Sequence, residues 1–325
     1  MKFGTVPVAD AGGAILAHAS QAGGHRLPKG KVLDGDDIAA LQQAEVREVI
    51  VAKLCEGDLD ENTAAARLAR ALAGNGVTTS TAATGRVNLF AGAAGIVDLD
   101  IAAINRANAV NPMITVATLP QYTRVAVGNM IATIKIIAYA VPGSDVTNAA
   151  SSAAISVLPP LYRSASLIET SLVPDPGDKG RNALEKRLSR LEVALDDVTI
   201  VSHDTNALKN ALDVVTGEVV FILTASATSD IDDIGPAALR AAGGTVTQFG
   251  MPVDPGNLLF LGDLHGKPVI GLPGCARSPA LNGADRVLER VICGRAPTPQ
   301  DFAAMGVGGL LKEMPDRPQP RRSIP

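Results

Sequence analysis

Between residues 166 and 293, short apolar runs alternate with amphipathic stretches at strand and helix spacings. Residues 166–170 (SLIET) predict a buried strand, and the turn Pro174-Asp-Pro-Gly-Asp-Lys-Gly leads into a charged amphipathic helix over 181–195. A second strand is predicted at 198–202 and a second helix at 206–215. Residues 218–224 (EVVFILT) are apolar on both faces, as a central parallel strand should be. A helix over 234–242 stops at Gly243-Gly244. Further strands are predicted at 245–249, 258–261 and 268–272. Ser278 followed by Pro279 predicts a capped helix start, with the helix running to about Cys293. Strands separated by helices of this length imply right-handed βαβ units and a parallel sheet.

The first 160 residues are less regular. The pattern predicts a helix at 36–44 after the turn Pro28-Lys29-Gly30, a strand at 46–54, and a helix at 62–73 ended by Gly74. Short strands dominate 86–141, with a helix over 100–109. This is an α+β pattern with a small barrel-like or hammerhead element and no tandem repeat. The small, polar, proline-bounded stretch from Pro142-Gly-Ser-Asp to Pro159-Pro160 has the character of a linker. The expected organisation is an N-terminal α+β domain over 1–160, an α/β domain over 161–296, and a tail or linker over 297–325.

Composition narrows the function. A net charge of −4 with 3% aromatic residues supplies neither phosphate-neutralising charge nor stacking platforms, which excludes nucleic acid as a partner. The start MKFGTVPVAD lacks the apolar core of a signal peptide. The most apolar stretch, 125–141, contains Asn129 and Lys135 and falls short of a membrane span. Three widely spaced cysteines (Cys55, Cys275, Cys293) suit a reducing compartment, so a cytoplasmic protein is expected. His18, His25, His203 and His265 form no metal-ligand spacing, so no metal site is expected from them.

In a parallel sheet, ligands bind at the carboxyl ends of strands beside helix N-termini. Three loops are placed there by the pattern. In Gly271-Leu272-Pro273-Gly274-Cys275-Ala276-Arg277-Ser278, the glycines open the backbone to a bound group and Arg277 adds a positive charge. A phosphate cradle is favoured there over a plain strand-to-helix turn. Cys275 and Cys293 are expected to have no redox role, although Cys275 lies in the same electropositive loop, where a thiolate is favoured and could serve as a ligand or nucleophile. The loop from Thr224 to Asp233 sets the hydroxyls of Thr224, Ser226, Thr228 and Ser229 beside Asp230, Asp232 and Asp233. Those carboxylates either position a cation or a proton, or simply cap the next helix. The third loop, Met251 to Asn257, carries the turn Pro255-Gly256.

Together these loops resemble a family. From about Ser166 to Gly294 the chain is similar to the molybdopterin-binding domain shared by molybdopterin adenylyltransferases and molybdotransferases. The most specific stretch is MPVDPGNLLFLGDLHGKPVIGLPGCARSP, Met251 to Pro279. Residues 27–51, ending in IAALQQAEVREVIV, look like the segment preceding this domain in the molybdotransferases. The resemblance implies a three-layer α/β/α fold that binds the pterin phosphate in a sheet-edge cleft. It assigns binding to Thr224, Ser226, Thr228, Ser229, Pro255, Gly256, Gly271, Leu272, Pro273, Gly274, Arg277 and Ser278, and a catalytic place to Asp232.

The departures bear on chemistry. The family's glycine-rich S-G-G-x-S-x-G-D-Y-D loop is replaced by Ala225-Ser-Ala-Thr-Ser-Asp-Ile-Asp-Asp, and its lysines around Pro-Gly by Asp254 and Asn257. The usual D-S-N after the first strand is missing. GLPGCARSP and the tail MGVGGLLKEMPDRPQP resemble bacterial proteins in which this module precedes a molybdopterin cytidylyltransferase domain. That domain's L-A-A-G-x-S-x-R-M-G loop does not occur here, which suits a stand-alone version or a fragment. The expected role is a carrier of molybdopterin, free or nucleotide-linked, serving a cytidylyltransferase or a molybdoenzyme. The alternative is an enzyme of nucleotidyl transfer or molybdate insertion, with Mg as a further cofactor. A homo-oligomer stays open.

Overall fold

The computed structural model describes residues 1–22 and 24–311. The chain divides into two compact units, one of residues 1–93 and 97–157, the other of 94–96 and 158 onward. In the first unit, strands Lys2–Pro7 and Glu48–Lys53 pair antiparallel, and Ile15–Leu16 joins the same sheet. Leu16, Leu33, Leu41 and Val51 form the core beside it. A four-stranded antiparallel sheet runs in the order Ile114–Thr118, Met130–Ile136, Arg86–Ala91, Val77–Thr79. Helix Glu61–Leu72 packs on it through Ala64, Ala65, Leu68, Ala69 and Leu72, a single face at helical spacing. Asp60 caps this helix, its carboxylate accepting from the Asn62 and Thr63 amides at 3.0 Å. The helix anticipated at 100–109 is present as Ile101–Val110.

The second unit is the α/β unit. Its elements are β1 (Ser164–Ser171), α1 (Lys179–Ser189), β2 (Ala194–Ser202), α2 (Thr205–Leu212), β3 (Val219–Leu223), α3 (Ile234–Ala241), β4 (Thr245–Phe249), β5 (Phe260–Leu264), β6 (Lys267–Leu272), α4 (Gly283–Ile292) and α5 (Pro299–Ala304). The six strands run in the order β2-β1-β3-β6-β5-β4. The first four are parallel, while β5 is antiparallel to both of its neighbours. The sheet is therefore mixed rather than wholly parallel, because β5 and β6 are joined by the tight turn at His265-Gly266, which reverses direction.

Every residue of β3 is buried, as its unbroken apolar run requires. Ile168, Val220 and Ile222 pack against Leu208, Leu212 and Leu239 of α2 and α3. Their neighbours Glu169 and Leu223 point to the opposite face, at Gly180 of α1. There α1 and α4 are joined by the buried ion pair Arg187–Asp285 at 2.6 Å. The layers are α/β/α.

The stretch expected as a linker carries helix Gly143–Ala149 and strand Ile155–Leu158, whose Val146, Ala149, Ile155 and Val157 join the core of the first unit. Two helix boundaries in the α/β unit differ most from expectation. Helix α1 ends at Ser189 rather than near 195, because Glu192 takes φ 56° and the Val193 amide turns back to the Leu188 carbonyl. The helix expected to open at Ser278 opens at Gly283, capped by Asn282 and Asp285. Arg187 takes the carbonyls of Ala276, Ser278 and Ala280, and so holds the short turn Gly274–Arg277 and the bend after it out of the helix. Within the segment expected as a tail, α5 buries Phe302, and Leu311 donates its amide to the Asp254 carbonyl at 2.9 Å. The remainder of the tail motif, from residue 312, lies outside the described residues. No described helix is long and apolar enough to cross a membrane.

Candidate functional site

Register across β1, β3 and β6 aligns Glu169, Leu223 and Leu272 at the carboxyl edge of the sheet. The loops that follow these strands are thereby neighbours. Arg277 closes over them, its Nη2 lying 3.3 Å from Glu169 Oε1 and donating to the Thr224 carbonyl at 3.1 Å. Glu169 is 2% exposed. Burial pushes its carboxyl above the ordinary range, and Asp178 adds to that, while Arg277 and Arg181 oppose it. The positive charge that the sequence offers to a ligand is thus shared with a carboxylate beneath it.

Beside Arg277 lies a cleft of about 400 Å³ lined by Lys179, Asn182, Ala183, Lys186, Arg277 and Pro279. Lys179, Asn182 and Lys186 fall at i, i+3 and i+7 on one face of α1. Neither lysine forms an ion pair with a described residue. The cleft therefore combines two ammonium groups that have no ion-pair partner among the described residues, one amide and one guanidinium, a donor set suited to a phosphate. Sequence reasoning missed both lysines, which look like the solvated face of a charged helix. The signal that could have found them is their spacing directly after the turn at the carboxyl end of β1.

The loop after β3 is closed by its own side chains. Thr224 Oγ1 donates to the Ser226 carbonyl at 2.7 Å and lies 3.2 Å from Thr228 Oγ1. The Ser229 amide donates to Asp233 Oδ2 at 3.0 Å, and Asp233 caps α3. Asp232 accepts from Arg240 Nη2 at 2.6 Å, with its side chain 82% exposed. The Ser226 hydroxyl meets His203 Nε2 at 2.8 Å, and His203 Nδ1 meets Thr170 Oγ1 at 2.8 Å. His203 is a further residue that the sequence did not place in this region.

The glycines divide by role. A Cβ on Gly271 would lie 1.9 Å from Phe260 Cε1, so this glycine makes room for an aromatic ring in the core. A Cβ on Gly274 would meet nothing within 4 Å, and Gly274 is exposed. Leu272 and Pro273 are buried below it, and the Ser278 carbonyl is held by Arg187 at 2.8 Å. Pro255 and Gly256 are buried against the start of α4, where Gly283 donates to the Pro255 carbonyl at 2.7 Å. Gly256, at φ 136°, would put a Cβ 2.6 Å from the Gly283 nitrogen. The structure therefore gathers Thr224 and Arg277 with Glu169, and places Pro255 and Gly256 in a backbone contact with α4. The Gly283 and Ala284 amides that open α4 donate to the Pro255 carbonyl and the Asn282 side chain, and the amide of the capping Asn282 donates to Asp285, which leaves anion binding to the cleft. Among the described residues no group of three or more His, Cys, Asp or Glu could hold a metal ion.

A family model described as a domain of unknown function (DUF8806) matches residues 5–53. No curated protein matches the chain. Among solved structures, a molybdopterin biosynthesis MoeA protein from Pyrococcus horikosii is 16% identical, over 91% of this chain and 76% of its own, with a TM-score of 0.32. A molybdenum cofactor biosynthesis protein from Pyrococcus furiosus is 12% identical, over 85% of this chain and 59% of its own, with a TM-score of 0.23.

Proposed function

We propose that the α/β unit holds molybdopterin, free or nucleotide-linked, as cargo in molybdenum cofactor biosynthesis or transfer. The observation that carries this reading is the cleft where Lys179, Lys186 and Arg277 converge beside the loop Gly271–Ser278. Ammonium and guanidinium groups in one cleft bind a phosphate by charge-assisted hydrogen bonds. The exposed hydroxyls of Ser226 and Ser229 on the adjoining loop offer partners to a polar heterocycle, while Thr224 and Thr228 hold the loop from within. The resemblance of 251–279 to molybdopterin-binding domains supplies the identity of the cargo. A carrier would pass it to a molybdopterin cytidylyltransferase or a molybdoenzyme. This reading is preferred to nucleotidyl transfer or molybdate insertion because Asp232 is bonded to Arg240 and turned to solvent.

Anaerobic fluorescence titration with molybdopterin tests the reading. Replacing both Lys179 and Lys186 with Ala should weaken binding by roughly tenfold or more, given the strength of hydrogen bonds to charged groups. Unchanged affinity in that variant, or no binding by the wild type, would overturn it.

A further inference from the structure

His203 lies between two hydroxyls at the ligand edge, and the direction of each hydrogen bond follows from its surroundings. Thr170 is 1% exposed, and its Oγ1 accepts from the Ala225 amide at 2.9 Å. A buried hydroxyl hydrogen needs an acceptor of its own, and the partner in place is His203 Nδ1 at 2.8 Å. Nδ1 is therefore the bare nitrogen of the neutral ring, and Nε2 carries the proton. Nε2–H then donates to Ser226 Oγ at 2.8 Å. With one lone pair of Oγ occupied, the serine's own hydrogen is turned to the open side of the loop, where Ser226 is exposed.

The backbone on both sides is fixed. His203 donates its amide to the Ser171 carbonyl at 3.1 Å, and the Ser226 carbonyl accepts from Thr224 Oγ1 at 2.7 Å. Asp204, the neighbouring carboxylate, spends its oxygens on Ser202 and the first amides of α2.

We propose that His203 is a positioning residue that presets the Ser226 hydroxyl as a hydrogen-bond donor to an acceptor oxygen of the bound ligand. The same direction argues against nucleophilic catalysis. A serine nucleophile needs a bare imidazole nitrogen facing its hydroxyl, and here the protonated nitrogen faces it. The subsite adjoins the basic cleft through Thr224, whose carbonyl is held by Arg277. A ligand with a phosphate at Lys179 and Lys186 would thus present a carbonyl or a second phosphoryl oxygen to Ser226. This inference rests on the carrier reading of the same edge.

The test uses the full chain with molybdopterin and, separately, inorganic pyrophosphate as probes. Ser226→Ala and His203→Phe should each weaken molybdopterin binding by roughly three- to tenfold, and the double variant should lose no more than either alone. His203→Gln, whose amide nitrogen reaches the Nε2 position, should restore affinity. Nitrogen NMR of the imidazole should show Nδ1 bare and Nε2 protonated. An Nδ1–H tautomer, additive losses in the double variant, or labelling of Ser226 by a fluorophosphonate would overturn the proposal. Unchanged binding by Ser226→Ala alongside weakened binding by the Lys179 and Lys186 variants would remove this subsite and leave the carrier reading standing. No binding of either probe by the wild type would end both. Pyrophosphate binding that ignores Ser226 while molybdopterin binding depends on it would place the acceptor oxygen on the pterin.

Discussion

Arg277 and Glu169 face each other at the carboxyl edge of the sheet, 3.3 Å apart, with Glu169 enclosed and Arg277 reaching the cleft. An anion that draws Arg277 outward strips Glu169 of its nearest positive charge. A carboxylate so enclosed then takes up a proton rather than remain charged. Binding of molybdopterin should therefore be accompanied by proton uptake. Calorimetric titration in buffers of differing ionisation enthalpy measures it, and Glu169→Gln should abolish it. Buffer-independent heats in the wild type would show that Arg277 stays on Glu169 when the site fills.

The same pair sets a pH dependence of stability. Burial raises the Glu169 carboxyl above its ordinary value of 4.5 in the folded chain, so the native state holds this proton more tightly than the unfolded one. This group's contribution therefore falls as pH rises from 4.5 through the raised value, and the cost persists above it. Glu169→Gln should flatten that limb and raise the urea midpoint at neutral pH relative to acid. A midpoint difference that is constant with pH would show that the carboxyl does not titrate in the native state.

Arg187 should matter more to stability than any residue of the cleft. Its guanidinium bonds Asp285 and four carbonyls, those of Ala183, Ala276, Ser278 and Ala280. Replacing it with Met keeps the volume and leaves Asp285 buried without its cation, at a cost of about 3–5 kcal/mol. Urea denaturation measures the loss, and hydrogen exchange should show residues 276–280 opening below the global transition. A loss below about 1 kcal/mol would mean that the loop is held by other contacts.

The legible parts of the fold were those dictated by local pattern. EVVFILT announces a doubly covered strand, and Thr245–Phe249 lies where alternation puts it. The end of α1 was hidden because a glutamate, Glu192, takes the left-handed turn for which glycine is the usual sign. The start of α4 was hidden because its position depends on Arg187, almost a hundred residues earlier in the chain, capturing the carbonyls of 276–280. The site was legible as a set of loops and as Arg277. Lys179 and Lys186 were hidden in the charged face of α1, and Glu169 and His203 acquire meaning only from a neighbour on another strand or helix.

Gly271 and Gly274 should separate under substitution. Gly271→Ala drives a methyl group into the Phe260 ring and should destabilise the protein by about 1–3 kcal/mol, as overpacking does. Gly274→Ala meets open space and should fold normally. If the ligand approaches the backbone of this turn, Gly274→Ala weakens molybdopterin binding while the melting temperature holds. Equal stability of the two variants would refute the packing role of Gly271.

Asp232 offers the sharpest division between a carrier and an enzyme. Its carboxylate is bonded to Arg240 on α3 and is largely exposed, so the pair contributes at most about 1 kcal/mol. Asp232→Asn preserves the shape and removes the charge. A carrier does not need that charge, and both urea stability and molybdopterin affinity should stay near the wild-type values. An enzyme that uses Asp232 to hold a cation or move a proton would lose turnover while keeping its affinity, because the group would act mainly in the transition state. The measurement is cofactor maturation reconstituted with molybdopterin, molybdate, magnesium and nucleotide. We expect tight binding and no turnover from either the wild type or Asp232→Asn. Turnover by the wild type that collapses in the variant would make the chain an enzyme, with Arg240 holding Asp232 until substrate arrives.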